Sequence, residues 1–296
     1  MTLATRWTVG LALLLLCASC RALYPVDHDR PDGHGDWLAV ETKTGAIVGL
    51  DQMARELARC DVVFLGEEHD NDVGHELQLE LTRRLLDLRP NASLSFEMIE
   101  RDAQGGLDRW LAGLISEEQF LSETKSWPNY REHYRPLVLL AKDRGLPVIA
   151  ANVPRPLASR VSRGGLAAVH GEAFAPREVL ATPGEYRGRF AQAMGKPPET
   201  DEPGLSLWFL AQCSKDEAMA ESIEVGLCRP PAGRLVIHYC GYFHSDFRLG
   251  TVERLLRRQP SLVVGVVTTR SGPRNPARMD AELARAADYV WLVKSQ

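Results

Sequence analysis

Two apolar segments of this 296-residue chain each run into a Gly-x-x-His: Asp61 to Leu65 leads into Gly66-Glu67-Glu68-His69, and Leu235 to Tyr239 leads into Gly241-Tyr242-Phe243-His244. In an open α/β sheet, ligands bind outside the carboxyl ends of the strands, so side chains just past those ends are the ones that meet a ligand. The glycine lets the backbone turn sharply, and the histidine follows it into the crevice. Other apolar segments deliver Glu97, then Asn152 and Arg155, then Thr268, Thr269 and Arg270 at corresponding places. If the strands are parallel these groups share one edge. There Glu67, His69, Glu97 and His244 could ligate zinc or another divalent metal, or serve as acid and base in a hydrolase. Plainer roles exist: Glu67, Asp70 or Asn71 can cap a following helix, and His75 can lie on its first turn. The remaining histidines, His28 and His34 among them, read as solvated. No Gly-x-Ser-x-Gly elbow is present, which argues against the serine mechanism of α/β-hydrolases.

The elements that must position these residues alternate strand and helix. A hairpin is expected over Leu38 to Val48, turning at Thr44-Gly45, then a helix from Asp51 as N-cap to Arg59. Strands follow at Val62–Leu65, Ser93–Phe96, Pro147–Ala151, Leu235–Tyr239, Leu262–Val267 and Tyr289–Val293. Leu77, Leu81, Leu85 and Leu88 recur at helical spacing, as do Leu137, Val138 and Ala141 after Pro136. This is the βαβ rhythm of an α/β fold, a mostly parallel sheet flanked by helices. Residues 155–226 break the rhythm, contain no convincing strand, and read as a mainly helical insertion or lobe over the sheet.

The amino terminus is a separate matter. Arg6 precedes an apolar run, Val9 to Leu16, too short to span a bilayer and built like a secretory signal. It ends in Cys17-Ala18-Ser19-Cys20, which resembles a bacterial lipoprotein signal with Cys20 as the lipidated residue; an ordinary cleaved signal peptide is the alternative. Residues 1–20 are therefore expected to be the signal segment, with Cys20 kept as the lipidated first residue of the mature protein, and 21–36 to form a tether, with Pro25, Pro31, Gly33 and Gly35 among charged residues. A single domain then spans 37–296. Net charge is -4 and 45% of residues are hydrophobic, which suits a globular core and argues against nucleic acid as a partner. Of the remaining cysteines, Cys213 and Cys228 are nearest in sequence; on one helix they would lie about 22 Å apart, so a disulfide between them requires an intervening turn.

At this point the residues carry a resemblance. Gly66-Glu67-Glu68-His69-Asp70-Asn71 with His75 and Gln78 resembles the first signature of the ChaN-like haem-binding lipoprotein family. Trp127-Pro128-Asn129-Tyr130 with Tyr134-Arg135-Pro136-Leu137, Asp216-Glu217-Ala218-Met219-Ala220, and Gly241-Tyr242-Phe243-His244 agree with it in order. More distantly the chain resembles the superfamily of TraB, Tiki and erythromycin esterase proteins. Gly74 departs from the family, which often has a histidine there beside the one at His75. The resemblance implies an exported lipoprotein facing the periplasm, anchored by lipid in the outer membrane, that takes part in haem and iron uptake. It further implies haem iron ligated by a tyrosine, a homodimer on haem binding, and an outer-membrane haem receptor as a partner. Tyr130, Tyr134 and Tyr242 are the candidate ligands, with His133 and Arg135 available to haem propionates. Tyr130 and Tyr134 also share a helical face with Leu137, Val138 and Ala141, which suits core positions equally. Two other classes stay open: the hydrolase, and an interaction lipoprotein with no small-molecule site.

Overall fold

The computed structural model describes residues 35–294 apart from 126, 182, 229–232, 274 and 276–278. The expected signal peptide, Cys20, His28, His34 and nearly all of the tether lie outside the described residues.

One seven-stranded sheet organises the chain, in the order β1-β7-β6-β2-β5-β3-β4. Its strands are β1 (Trp37–Glu41), β2 (Val62–Glu67), β3 (Ala92–Glu100), β4 (Val148–Asn152), β5 (Leu235–Gly241), β6 (Val264–Ser271) and β7 (Tyr289–Val293). All neighbours are parallel except β1, which runs antiparallel to β7. The alternation along each strand divides two cores, because successive side chains point to opposite faces. Val63 and Leu65 of β2 join Leu94, Phe96, Ile237 and Tyr239 under α1 (Leu50–Leu57), α2 (Asp72–Leu88) and α5 (Arg135–Asp143). Val62 and Phe64 join Ile149, Val236, Val264 and Val266 on the other face, beneath α8 (Pro203–Cys228) and α9 (Gly250–Arg258).

The expected α/β class and all six later strands are present, each within a few residues of its expected bounds. The hairpin over 38–48 shrinks to one bridge, Val40 to Ile47, because the partner of β1 is β7 at the far end of the chain. The first helix begins at Leu50 with Gly49 as its N-cap, so Asp51 lies inside its first turn. Within 155–226 the described residues are mainly helical, as expected: α6 (Arg155–Gly164), α7 (Glu185–Ala193) and most of α8, with irregular chain between them. The carboxyl half of α8 is a layer of the main body, since Met219, Ala220 and Ile223 pack directly on strand residues. Cys213 and Cys228 are both free thiols on this unbroken helix, so the turn their bridge would need does not exist. His238, expected at the surface, is fully buried in β5 against Phe64, and burial pushes its pKa down to about 3.

Candidate functional site

The three adjacent strands β2, β5 and β3 bring the two motifs together. Glu67, the last residue of β2, is buried, and its carboxylate is saturated. Oε1 accepts from the Tyr134 hydroxyl at 2.7 Å and lies 2.9 Å from Nδ1 of His69, while Oε2 accepts from Gln78 Nε2 at 2.8 Å. Burial alone would raise the Glu67 pKa, but the His69 hydrogen bond and the nearby His75 outweigh it and hold it below the ordinary value. The same bond, with the charge of Glu97, raises His69 against the opposing effect of burial. Held by Nδ1, His69 turns its Nε2 toward Gly241 at the mouth of the crevice.

His244 is held from both sides. Its Nε2 lies 3.2 Å from Oε1 of Glu97 and its Nδ1 2.7 Å from Oδ1 of Asp216. Asp216 is itself fixed, accepting from Thr251 Oγ1 at 3.0 Å and the Tyr186 hydroxyl at 2.7 Å; Glu97 accepts from the Gly241 N–H at 2.8 Å. Burial favours the neutral ring, yet the two carboxylates prevail and push His244 up to about 10, while His244 holds Glu97 well below the carboxylate range. Around the imidazolium stand Glu97, Asp216, His69 and Gln212, and Arg254 faces Asp216 from α9. A histidine whose folded pKa lies above its unfolded value contributes stability below about pH 6.5 and loses it as pH rises through the folded pKa. Thermal unfolding followed from pH 7 to pH 10.5 should therefore show a falling midpoint, worth on the order of a few kcal/mol; a flat profile would contradict the charged His244.

The glycines explain why the motifs come as a pair. A Cβ on Gly241 would lie 2.9 Å from Nε2 of His69, and a Cβ on Gly66 would meet Ser245 Oγ at 2.8 Å and the Tyr242 Cα at 3.1 Å. Each glycine makes room for the other motif. Because Gly66 is pressed against backbone as well as side chain, Gly66→Ala should lower the unfolding free energy by about 1–3 kcal/mol, read from urea denaturation; an unchanged midpoint would show that the strand ends do not interlock.

The pair opens into a cavity of ≈ 390 Å³ lined by His69, Glu97, His244, Trp127, Arg155 and Lys215. Glu67, His69, Glu97 and His244, the expected metal set, stand here as two carboxylate–histidine pairs, Glu67 with His69 and Glu97 with His244, and no group of three or more metal-ligating side chains occurs among the described residues.

The expected haem residues divide. Tyr134 is fully buried with its hydroxyl given to Glu67, and Tyr130 is buried on the same irregular turn. Burial, and for Tyr134 the adjacent Glu67, push both phenols well above 10. The Tyr134 hydroxyl is therefore engaged, whereas that of Tyr130 has no hydrogen-bond partner and Tyr130 lines a separate cavity of ≈ 140 Å³. His133 is stacked on His75 and hydrogen-bonded to Asp72 at 2.8 Å, and Arg135 grips Glu117 through two nitrogens. Tyr242 differs: it is 36% exposed, and no described residue hydrogen-bonds its hydroxyl.

Tyr242 lines a second cavity of ≈ 430 Å³ with Phe243, Phe247, Leu283, Arg189 and Arg270. The Arg270 guanidinium lies 3.9 Å from the Tyr242 ring centroid and pairs with Asp246; that of Arg189 lies 3.3 Å from the Phe247 ring. Phe247 and Arg248 both adopt left-handed backbone, φ 60° and 56°, a conformation costing about 1–3 kcal/mol each that persists where function or surroundings demand it. Arg248 is tied down by Asp288, both oxygens at 2.8 Å. Phe243 lines both cavities, so Tyr242 and His244 flank a shared wall.

Asp216 and Gln78 had no role assigned from sequence. Their signal is an acid or amide inside an otherwise apolar helical stripe, which is costly unless a buried partner awaits it.

A solved structure of ChaN from Campylobacter jejuni, described as showing cofacial haem binding, is 18% identical and superposes with a TM-score of 0.66 over 88% of this chain and 98% of its own. An erythromycin esterase mutant, EreC in its open conformation, is 10% identical with a TM-score of 0.48, covering 88% and 97%. The RRSP toxin effector domain from Vibrio vulnificus is 16% identical with a TM-score of 0.42, covering 75% and 36%. No curated protein matches the chain. The sequence model of the family described as haem-binding uptake, Tiki superfamily, ChaN, matches residues 53–255, and the chain belongs to that family.

Proposed function

We propose that this protein binds ferric haem through Tyr242 and serves haem uptake. Membership of a haem-binding uptake family supports haem as the ligand, and the accessible Tyr242 hydroxyl is the observation that carries the site. The cavity suits the group: Phe243 and Phe247 offer rings to a flat macrocycle, Arg189 and Arg270 offer charge to its propionates, and a phenolate is a known donor to ferric haem. When bound, haem supplies the iron; the chain supplies the phenol, the aromatic walls and the guanidinium groups. The ChaN structure shows haems in a cofacial arrangement, which supports a homodimer here with two Tyr242 faces opposed.

The amino-terminal pattern supports export and lipid attachment at Cys20, facing the periplasm at the outer membrane, where a haem receptor would be the partner. Among the described residues no helix is long and apolar enough to cross a membrane. Haemin titrated into the chain beginning after Cys20, with molar mass measured at saturation, tests the reading. One haem per chain and a doubled mass are expected; no saturable shift of the Soret band would end it.

A second reading is favoured by the two carboxylate–histidine pairs facing one cavity. In it the centre hydrolyses an ester without a metal. Water adds to the acyl carbon as its proton passes to Nε2 of His69; the bond to the leaving oxygen then breaks, and the alcohol departs with that proton. Glu67 holds the His69 ring in place for this proton transfer. Hydrolysis of p-nitrophenyl butyrate that disappears in His69→Gln supports this reading, and a rate unchanged by that substitution sinks it.

A further inference from the structure

Four cationic side chains line the two cavities, and three of them face a carboxylate. Arg155 lies 3.1 Å from Glu100, Arg189 is paired with Glu185 and Glu282, and Arg270 is paired with Asp246. Lys215 has no such partner among the described residues, although it is only partly exposed. The reason lies in α8. Gln212, Lys215 and Asp216 fall on one face of the helix at spacings of three and four, which directs them to the same place. Gln212 and Asp216 both contact His244. The carboxylates beside Lys215 are already taken: Asp216 by His244, Thr251 and Tyr186, Glu217 by Arg257 and Arg258. An ammonium partly withdrawn from water with no counter-charge is costly unless a ligand completes it. A second unfilled group lines the same cavity: Asn152 is 8% exposed, and its side-chain oxygen, an acceptor without a partner, calls for a donor and not for an anion.

We propose that the cavity of His69 and His244 binds an acyl compound bearing a carboxylate, and that Lys215 is the residue that takes this carboxylate. The proposal rests on the hydrolytic reading for the fate of the ligand, but the anion site stands on the geometry of Lys215 alone. Lys215 and His69 line one cavity, which suits a short diacid half-ester, and Trp127 and Phe243 in the same lining offer apolar walls to its alcohol portion. The hydrolytic step is the one written above, giving a diacid and an alcohol.

Glutarate serves as the probe for the anion site, titrated calorimetrically into the chain beginning after Cys20. Binding should weaken at least tenfold in Lys215→Gln and return to within about threefold of wild type in Lys215→Arg, because a hydrogen bond to a charged group is at stake. The thermal midpoint of Lys215→Gln should rise or stay, and not fall, since an uncompensated charge is removed and no ion pair is lost. Absence of glutarate binding, or binding indifferent to Lys215→Gln, overturns the proposal. A Lys215→Gln variant that loses haemin rather than glutarate also overturns it, because the carboxylate would then be a haem propionate. Turnover is measured separately with mono-p-nitrophenyl glutarate and p-nitrophenyl butyrate. A Lys215-dependent preference for the charged ester of at least tenfold in kcat/KM is expected, and equal turnover of both overturns the proposal while leaving hydrolysis intact. Glutarate bound through Lys215 with no His69-dependent turnover of either ester supports the anion site and removes the hydrolytic reading.

Discussion

Replacing His244 with alanine should lower the unfolding free energy by about 3–5 kcal/mol at pH 7, because it strands two buried carboxylates that now share one cation. Glu97 and Asp216 each lose a bond to the ring and are left near one another in a space that excludes bulk water. The loss should shrink as pH falls. An orphaned carboxyl in such a place has a raised pKa, so the variant binds protons on folding and gains stability toward acid, the reverse of the wild-type centre, whose depressed Glu97 makes acid unfavourable. A Glu97→Gln, His244→Ala double variant should cost clearly less than the sum of the two single changes, since both remove the same interaction. Chemical denaturation of the four proteins at pH 5 and pH 7 reads all of this. Additive losses at both pH values would mean that Glu97 and His244 do not act on each other.

Tyr242→Phe should weaken haemin binding on the order of 100-fold. Removing even an outer partner of a metal ligand typically costs 10–100-fold, and here the donor oxygen itself is lost while the ring and its packing against Arg270 remain. Tyr134→Phe is the informative contrast. It removes the donor to a buried carboxylate, so it should cost about 1–3 kcal/mol of stability and leave haemin affinity nearly unchanged. If Tyr134→Phe abolished haemin binding in a protein that still unfolded cooperatively, the turn carrying Tyr130 and Tyr134 would have to open to admit the ligand, and Tyr242 would lose its place.

The contrast between these tyrosines shows where the sequence speaks and where it is silent. Glycine before histidine at the end of an apolar run is local information that puts Glu67, His69 and His244 at one edge, and the end of the Ser93–Phe96 run adds Glu97, because parallel strands leave their ends together. The tyrosines were ambiguous, since one helical face serves a core and a binding surface equally well; only the Glu67 oxygen under the Tyr134 hydroxyl decides it. Asp216 could not be given its role from its own neighbourhood, because the helix that bears it meets His244 only through the packing of α8 over β5. The pairing of β1 with β7 is likewise invisible locally, since both strands are short and apolar and either could have found another edge. The pairing of His244 is hidden for a related reason. Residue types and strand ends are legible, but the protonation and hydrogen-bond direction of His244 depend on a carboxylate from another element.

Haem held by Tyr242 is tested most directly by the absorption spectra of haemin complexes of wild type and Tyr242→Phe, recorded at equal saturation. Ligation by this residue predicts a tyrosinate-type ferric spectrum in the wild type that is absent from the variant. Identical spectra from the two proteins, or no saturable complex with either, would contradict it.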